Sequence, residues 1–232
     1  MSLLDSYTIP GLPDTMPKIL DLFPAPHPYT AMGQSLTTGS TLKKITSIKF
    51  WLRKVGLPDG LLVARVYAST GSVGSTAKPT GNYLAQSDTV DASSCSTSGA
   101  FQEFTFSGAE QINLSPLTDY CFVFLFISAS VLDGYNCIWS GIDKEGSHVG
   151  NTCYSGDPGW LAASNYDTLF YLYGDDPTIN FEVATLEVPD NLDTSVLAPL
   201  IESFLNDLSI TSVYSIKTNH LHGFFKVMVV YI

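Results

Sequence analysis

The segment YCFVFLFI, residues 120–127, constrains the fold of this chain more than any other stretch. Successive side chains of an extended strand point to opposite faces, and here both faces are apolar. One face would carry Tyr120, Phe122, Phe124 and Phe126, and the other Cys121, Val123, Leu125 and Ile127. The apolar window that contains it is about half of the ~20 residues that a transmembrane helix requires. The segment therefore predicts a central strand that is covered on both sides.

Further short strands are predicted along most of the chain. In ITSIKFWLRKVG, residues 45–56, apolar side chains alternate with polar ones. Comparable segments are LLVARVYAST, LAQSDTVDAS, FQEFTFSG, YNCIWSGID, HVGNTCYSG and DTLFYLYGD. They follow one another at intervals of about ten residues, with Gly, Pro and Asn turns between them and almost no helical periodicity. This pattern predicts an all-β fold, a jelly-roll β-sandwich over residues 32–175.

Residues 1–31 have a different character. Six prolines fall between Pro10 and Pro28, which excludes a long helix or a central strand. The same stretch carries large apolar side chains: Ile9, Leu12, Met16, Ile19, Leu20, Leu22 and Phe23. Their density argues against a disordered tail, which is the alternative. We expect an extended, Pro-rich arm that lies across its own domain or across a neighbouring subunit.

Residues 176–232 are predicted to form a separate, small α+β unit. TINFEVATLEV, residues 178–188, is a strand candidate, and SITSVYSI and FFKVMVVYI flank KTNHLHG as a hairpin. Between them, leucines and other apolar residues recur at helical spacing over residues 197–208. A unit of this size cannot bury a generous core alone. We expect it to serve docking or oligomerisation.

Composition excludes several classes of partner. The net charge is −11, with 11 Lys and Arg against 22 Asp and Glu, so the chain offers no basic surface to nucleic acid or to an anionic membrane. Only 14 % of the residues are charged, against roughly 25 % in ordinary globular domains. Such a surface is typical of secreted or particle-borne β-proteins with large contacts to other chains. The first residues show no signal-peptide pattern.

The four cysteines, at positions 95, 121, 137 and 153, are too few for a disulfide scaffold. Cys137 and Cys153 are equidistant from Glu145, in a segment, DKEGSH, that resembles a hairpin turn. A two-stranded ladder around that turn would place the pair within disulfide reach. We expect reduced core cysteines, with a Cys137–Cys153 disulfide as the alternative.

The stretch HVGNTCYSGDPGW, residues 148–160, combines a His and a Cys, but does not place them together. His148 and Cys153 are five positions apart in a predicted strand, so they would point to opposite faces. The acidic residues also offer no pair with the contrasting environments that an acid–base mechanism requires. We therefore predict a non-enzymatic protein without catalytic residues.

No fixed-spacing metal motif is present either. The pair His220 and His222 has no further ligand nearby in the sequence. YGDDP, residues 173–177, together with acidic loop residues could hold a calcium ion, but without the spacing of an EF-hand. We expect no metal site and no cofactor, with calcium as the alternative.

Aromatic side chains on polar strand faces and in loops are the best candidates for a ligand-binding surface. Flat rings with polar tips stack on sugars or anchor protein interfaces. The candidates are Trp51, Tyr135, Trp139, Tyr154 and Trp160. The alternative is that these rings pack beneath the arm or the C-terminal unit.

The sandwich segment resembles a known family in several of its motifs. These are MGQSLTTGSTLKKITSIKFWLRKVGLPDGLLVARVYASTG, PTGNYLAQSDTVDAS, FTFSGAEQINLSPLTDYCFVF, HVGNTCYSG and DTLFYLYGD. They are similar to a jelly-roll family found in phage and uncultured-virus structural proteins and, more distantly, in bacterial surface and carbohydrate-binding modules. The likeness covers residues 32–175, and its matching positions are mostly turn glycines and core aromatics.

The resemblance implies a non-enzymatic module that binds or builds. We expect a virion-associated structural protein, such as a decoration, fibre or minor capsid subunit, on a lectin-like jelly roll. Its partners would be copies of itself and other virion proteins, together with glycans. The alternative is a carbohydrate-binding or adhesion module of a secreted or cell-surface protein, with an extracellular rather than a virion location.

Overall fold

The computed structural model divides the chain into two compact units, Met1–Asp176 and Pro177–Ile232. It describes residues 1–8, 31–128, 136–144, 146–156, 159–164, 166–177, 180–182, 199, 213–221 and 224–231. The division falls one residue from the boundary that the sequence predicts.

The first unit is built of antiparallel strands, which confirms the all-β prediction. Short 3-10 turns at Ala92–Ser94 and Gly108–Glu110 interrupt the strands. The strands are β1 (Ser2–Tyr7), β2 (Ala31–Thr37), β3 (Lys43–Val55), β4 (Leu61–Thr70), β5 (Lys78–Gln86), β6 (Val90–Asp91), β7 (Ala100–Thr105), β8 (Asn113–Leu114), β9 (Asp119–Ser128), β10 (Cys137–Ser140), β11 (Ile142–Asp143), β12 (Asn151–Gly156), β13 (Gly159–Ala163), β14 (Asp167–Thr168) and β15 (Phe170–Asp175).

Two main sheets form a sandwich-like arrangement. Sheet I has the order β13-β12-β2-β9-β4-β5, with β6 also paired to β4. Sheet II has the order β1-β15-β3-β10, with β7 and β8 also paired to β3. The short strands β11 and β14 form a separate pair. Chain segments far apart in sequence are therefore neighbours in both sheets.

The core lies between the two sheets and takes side chains from strands of both. The rings of Phe50 in sheet II and Phe124 in sheet I are 5.3 Å apart, and both are buried. Among the described side chains, the largest that are completely buried are Phe50, Phe104, Phe106, Phe122 and Phe170. At roughly 1.5–3 kcal/mol for each large apolar side chain removed from water, this cluster stabilises the pairing of the sheets.

Strand β9 is central in sheet I, between β2 and β4, as its two apolar faces predict. Phe122 contributes to the core, and the opposite-facing Cys121 and Val123 are also fully buried. Cover on the second face ends near the C-terminal end of the strand, where Ile127 is 41 % exposed.

Strand β2 approaches β9 closely at a single glycine. A Cβ atom on Gly33 would overlap the carbonyl oxygen of Phe122 and the Cα atom of Val123. Only glycine fits where two backbones come this near, so Gly33 lets β2 lie tightly against β9.

Residues 2–7 of the predicted arm form β1, which pairs with β15 at the edge of sheet II. In the described part the arm therefore lies on its own domain. The proline-rich remainder, residues 9–30, is outside the described residues.

The predicted hairpin around Glu145 is wrong. Cys137 lies in β10 and pairs opposite Val55 of sheet II, whereas Cys153 lies in β12 and pairs opposite Gly33 of sheet I. Between them the chain crosses from one sheet to the other, and β11 pairs with β14 rather than with β12. The pair is therefore separated, and all four cysteines are free and buried.

The second unit contains a three-stranded sheet. Strands β16 (Asn180–Glu182), β17 (Val213–Leu221) and β18 (Phe224–Tyr231) have the order β16-β18-β17. The antiparallel pairing of β17 with β18 corresponds to the predicted C-terminal hairpin. Its strands reach Leu221 and Phe224, so the turn is tighter than KTNHLHG suggested. The predicted helix over residues 197–208 lies outside the described residues, Pro199 excepted.

Replacing Gly33 tests the close approach of β2 and β9. Gly33→Ala should destabilise the protein by about 1–3 kcal/mol, because the new methyl group forces one strand away from the other. Thermal unfolding followed by circular dichroism measures the effect. Gly39→Ala is the matched control, since no atom lies within 4 Å of a Cβ built there. Equal melting temperatures for the two variants would contradict this account.

Candidate functional site

The face of sheet I that points away from the core is strongly curved. Trp160 of β13 and Tyr67 of β4 have ring centroids 5.7 Å apart, although three strands lie between β13 and β4 in the sheet. A flat sheet would separate these strands by about 19 Å, at ~4.8 Å for each step. The sheet therefore curls until its two sides meet over the outer face, which becomes a concave surface.

Pairing register places three aromatic side chains on this surface. Tyr67 lies directly opposite Tyr83 of β5, so the two share a face, and their rings meet edge to face at 6.4 Å. Trp160 approaches Tyr67 from the other side, also edge to face. We call Tyr67, Tyr83, Trp160 and the neighbouring Arg65 the aromatic trough. Tyr67 is buried, with 7 % of its surface exposed, whereas Trp160 is half-buried and Tyr83 is 45 % exposed, so solvent reaches the trough at Tyr83 and Trp160.

Arg65 is held in place on the wall of the trough. Its guanidinium carbon lies 4.4 Å from the centroid of the Tyr83 ring, and its Nε donates a hydrogen bond of 2.8 Å to Gln86 Oε1. A cation over an aromatic face is attracted by the electrons of the ring. The trough therefore combines apolar ring surface with ordered hydrogen-bonding groups at its edge.

Small and buried side chains form the floor of the trough. Cys121, Val123 and Cys153 are fully buried there, and Trp160 packs against them. Burial raises the pKa of the Cys153 thiol well above its ordinary value, so the thiol stays protonated and is a poor nucleophile. The Cys153 thiol is hydrogen-bonded to that of Cys121, which lowers the Cys121 pKa, and both side chains support the rings from below.

The loop of residues 71–77 closes one end of the concave surface. Asn151 is its anchor: its Oδ1 accepts from Gly74 N at 3.1 Å, and its Nδ2 donates to the Ala77 carbonyl at 3.0 Å. Ser35 also donates to Asn151 Oδ1, at 2.8 Å. These contacts fix the loop at that end of the concave surface.

The aromatic residues that the sequence analysis gave as candidates lie in different parts of the structure. Trp160 lies in the trough, and Trp139 is half-buried in sheet II, where Arg53 lies 5.6 Å from its ring centroid. Trp51 is buried in sheet II, with its ring against Gly99 and Gly141, and Tyr154 packs against the core. Tyr135 lies outside the described residues. The four described candidates therefore do not form one surface.

Tyr67 completes the trough and is absent from the sequence-based candidates. The alternation in LLVARVYAST places Tyr67 on the face of Arg65 and opposite to that of Val66, which is a usable signal. The sequence alone does not indicate a binding surface on that face, because a flat sheet would not bring Tyr67 to Trp160. The curl that joins them is a tertiary property.

A cluster of polar side chains surrounds His148, at the border between the two sheets. His148 Nε2 lies 3.2 Å from Asp5 Oδ2, and its Nδ1 accepts from Gly150 N at 2.9 Å. Asp167 accepts from Gln34 Nε2 at 2.7 Å and from the His148 backbone at 2.9 Å. Both ring nitrogens of His148 are therefore engaged in structural contacts.

The stretch HVGNTCYSG thus serves two structural purposes. His148 points into the polar cluster beside Asp5, and Cys153 lies beneath Trp160 on the floor of the trough. In the part of the chain that the structure describes, no group of three or more His, Cys, Asp or Glu side chains could hold a metal ion. Among those same residues, no helix is long and apolar enough to cross a membrane.

Comparison with known proteins finds no family model, no curated protein and no solved structure that matches this chain.

The Asp167 carboxyl makes the stability of the cluster depend on pH. Burial raises its pKa above the ordinary value, although hydrogen bonds from Gln34 and the His148 backbone act in the opposite direction. The folded state therefore binds the proton more tightly than the unfolded state does. This contribution is fully present below the ordinary aspartate pKa of about 3.9 and is lost as the pH rises through the folded value.

We expect the free energy of unfolding of the native protein, relative to Asp167→Asn, to increase as the pH falls from 7 towards 4. Denaturant titrations at several pH values measure this difference. Asp91→Asn is an informative control, because hydrogen bonds from Ser93 lower the Asp91 pKa. The Asp91 contribution should therefore change in the opposite direction. A difference for Asp167→Asn that stays constant or shrinks on acidification would refute the assignment.

Proposed function

We propose that this chain is a non-enzymatic, particle-borne structural and adhesion protein. Its first unit is a lectin-like jelly roll that binds carbohydrate in the aromatic trough. It belongs to a virion or a comparable extracellular particle, in which it contacts copies of itself and other structural proteins. The second unit, with its separate three-stranded sheet, serves docking or oligomerisation.

The aromatic trough is the observation that carries this proposal. The face of a pyranose ring presents C–H groups that pack on an aromatic ring, and its edge presents hydroxyl groups that need hydrogen-bond partners. Tyr83 and Trp160 offer accessible ring surface within the concave face. Arg65 and Gln86 offer donors and acceptors directly beside those rings. This pairing of apolar planes with fixed polar groups suits a sugar.

The contacts within the polar cluster around His148 favour a binding protein over an enzyme. Hydrolysis requires a base that can reach a nucleophile or an activated water. His148 has both ring nitrogens in contact with Asp5 and Gly150, and its side chain is only 8 % exposed. The Cys153 thiol is buried and remains protonated. These groups stabilise the fold.

Assembly into a particle is supported by composition and by the two-unit organisation. The net charge of −11 and the 14 % charged residues leave a surface dominated by uncharged polar groups, which suits large contacts with other proteins. The division at Asp176 separates a sandwich that can bind from a small unit that can attach. The likeness of residues 32–175 to virion structural proteins points to the same role.

Trp160→Ala should weaken glycan binding at least tenfold, because it removes one ring of the trough. A tenfold change corresponds to about 1.4 kcal/mol. A glycan array of neutral and uronate-containing oligosaccharides, with and without calcium, selects the ligand, and titration calorimetry then compares the variants. Trp139→Ala is the matched control, since that half-buried tryptophan lies in sheet II. Equal affinities for the two variants, or an array without binding, would reject the glycan-binding proposal.

Mass spectrometry of purified particles tests the location. We expect the chain in the virion or filament fraction of a culture that expresses it, at a copy number consistent with a repeated subunit. Recovery only in the particle-free supernatant would reject the structural part of the proposal and favour a secreted adhesion module.

A further inference from the structure

Strand β1 is an edge strand that is bonded to the rest of the protein through one neighbour. Its residues pair with β15 in the antiparallel register Ser2↔Gly174 to Tyr7↔Phe170, with one irregularity between Leu3 and Asp5. In sheet II it occupies the outer position next to β15. The ladder that holds β1 is therefore a single one.

The side-chain contacts of β1 go to the same part of the chain. Ser2 Oγ donates to the Gly174 carbonyl at 2.9 Å, and the terminal amino group pairs with Asp175. Tyr7 donates to Asp143 at 2.6 Å, and Asp5 contacts His148 at 3.2 Å. All of these partners lie within residues 143–175. Another copy of the chain presents an identical set.

The rest of the first unit provides an apolar surface on which this strand packs. Leu4 and Tyr7 pack against the main core cluster. Leu4 also rests on Gly174, where an added Cβ would lie 2.6 Å from Leu4 Cδ1. Without β1, this apolar surface and the unpaired backbone groups of β15 would be exposed to solvent. Pairing of β15 with a strand, from the same chain or from another copy, is therefore favoured.

β1 nevertheless does not cover all of the surface beside it. A surface cleft of about 320 Å³ lies beside β1, lined by Leu3, Leu4 and Asp5 and, from the rest of the first unit, by residues that include Leu36 and Lys43. Leu3 is 53 % exposed. β1 is therefore held less firmly than an internal strand.

The connection from β1 to β2 is long enough to reach another subunit. Residues 9–30 separate the last described residue of this region, Thr8, from Ala31. Fully extended, a connection of this length spans about 75 Å. Ordinary connections between strands are far shorter, with a median of about 4–6 residues. A connection of this length permits β1 to pair either with its own domain or with a second copy.

We propose that β1 is exchanged between copies of this chain, so that the first strand of one protomer completes the sheet II edge of the next. Exchange conserves every hydrogen bond and ion pair of β1, because only the identity of the β15 donor changes. It becomes favourable when the local concentration of subunits exceeds the millimolar range that a tether of moderate length provides. Crowding of copies on a particle supplies such concentrations.

This inference deepens the assembly part of the proposed function, on which it rests, and is independent of the aromatic trough. The exchanged edge belongs to sheet II, whereas the trough belongs to sheet I. Loss of glycan binding would leave strand exchange intact, and a failure of exchange would leave glycan binding intact. The two tests are therefore distinguishable.

Disulfide trapping in the full-length chain tests the exchange. Ser6 lies directly opposite Tyr171 in the β1–β15 ladder, and the four native cysteines are buried. A Ser6→Cys chain is mixed with a Tyr171→Cys chain at millimolar concentration and oxidised. We expect a disulfide-linked dimer of the two variants, identified by mass and by peptide mapping. Its yield should exceed at least tenfold that of the control mixture, Ser6→Cys with Lys78→Cys, because Lys78 lies in β5 of the other sheet.

The double variant Ser6→Cys/Tyr171→Cys completes the test. Crosslinks between chains that increase with protein concentration support exchange. The proposal is overturned if the crosslinks of the double variant remain within one chain at every concentration and the mixture of single variants gives no more disulfide-linked dimer than the control mixture. The second pair in the same ladder, Leu3→Cys with Tyr173→Cys, repeats the experiment if the first pair disturbs folding. An absence of crosslinks in both pairs also overturns the proposal.

Discussion

The architecture depends on the need to bury both faces of strand β9. One face enters the core with Phe122 and Phe124, as in any sandwich, but the other face carries Cys121 and Val123. Leaving that second face in water would forfeit roughly 25 cal/mol for each Å² of apolar surface. Sheet I avoids this loss by curling, which brings β13 and β5 over its own outer face. The candidate binding surface is therefore a by-product of core formation.

The curl in turn depends on small side chains and on well-paired polar groups. Gly33 allows β2 to approach β9, and Asn151 ties the loop of residues 71–77 across one end. At the border of the two sheets, Gln34 bonds to Asp167, and Asp167 bonds to the His148 backbone. Because these buried polar groups satisfy one another, the curled shape avoids a penalty for unpaired donors and acceptors. The curl of sheet I and the hydrogen bonding of its buried polar side chains therefore depend on each other.

Local patterns in the sequence predict the strands but not their partners. Alternation identifies β3, β4 and β9, and the doubly apolar run at residues 120–127 identifies the central strand. The equal spacing of Cys137 and Cys153 from Glu145 suggested a hairpin, yet β10 pairs with β3 and β12 with β2, because pairing is decided by the packing of distant segments. Trp160 was identified as a candidate, whereas its neighbour Tyr67 became significant only once the curl was known.

The four cysteines, all free and buried, have a consequence for the conditions under which the chain can fold. No covalent bond between side chains is needed to reach the described structure, so no oxidase or isomerase has to act during folding. Burial shields these thiols from solvent and raises the pKa of Cys95 to about 11, whereas a hydrogen bond between Cys121 and Cys153 lowers the pKa of the Cys121 thiol. The fold is thus reached with all four thiols reduced, and synthesis in a reducing compartment is sufficient for it.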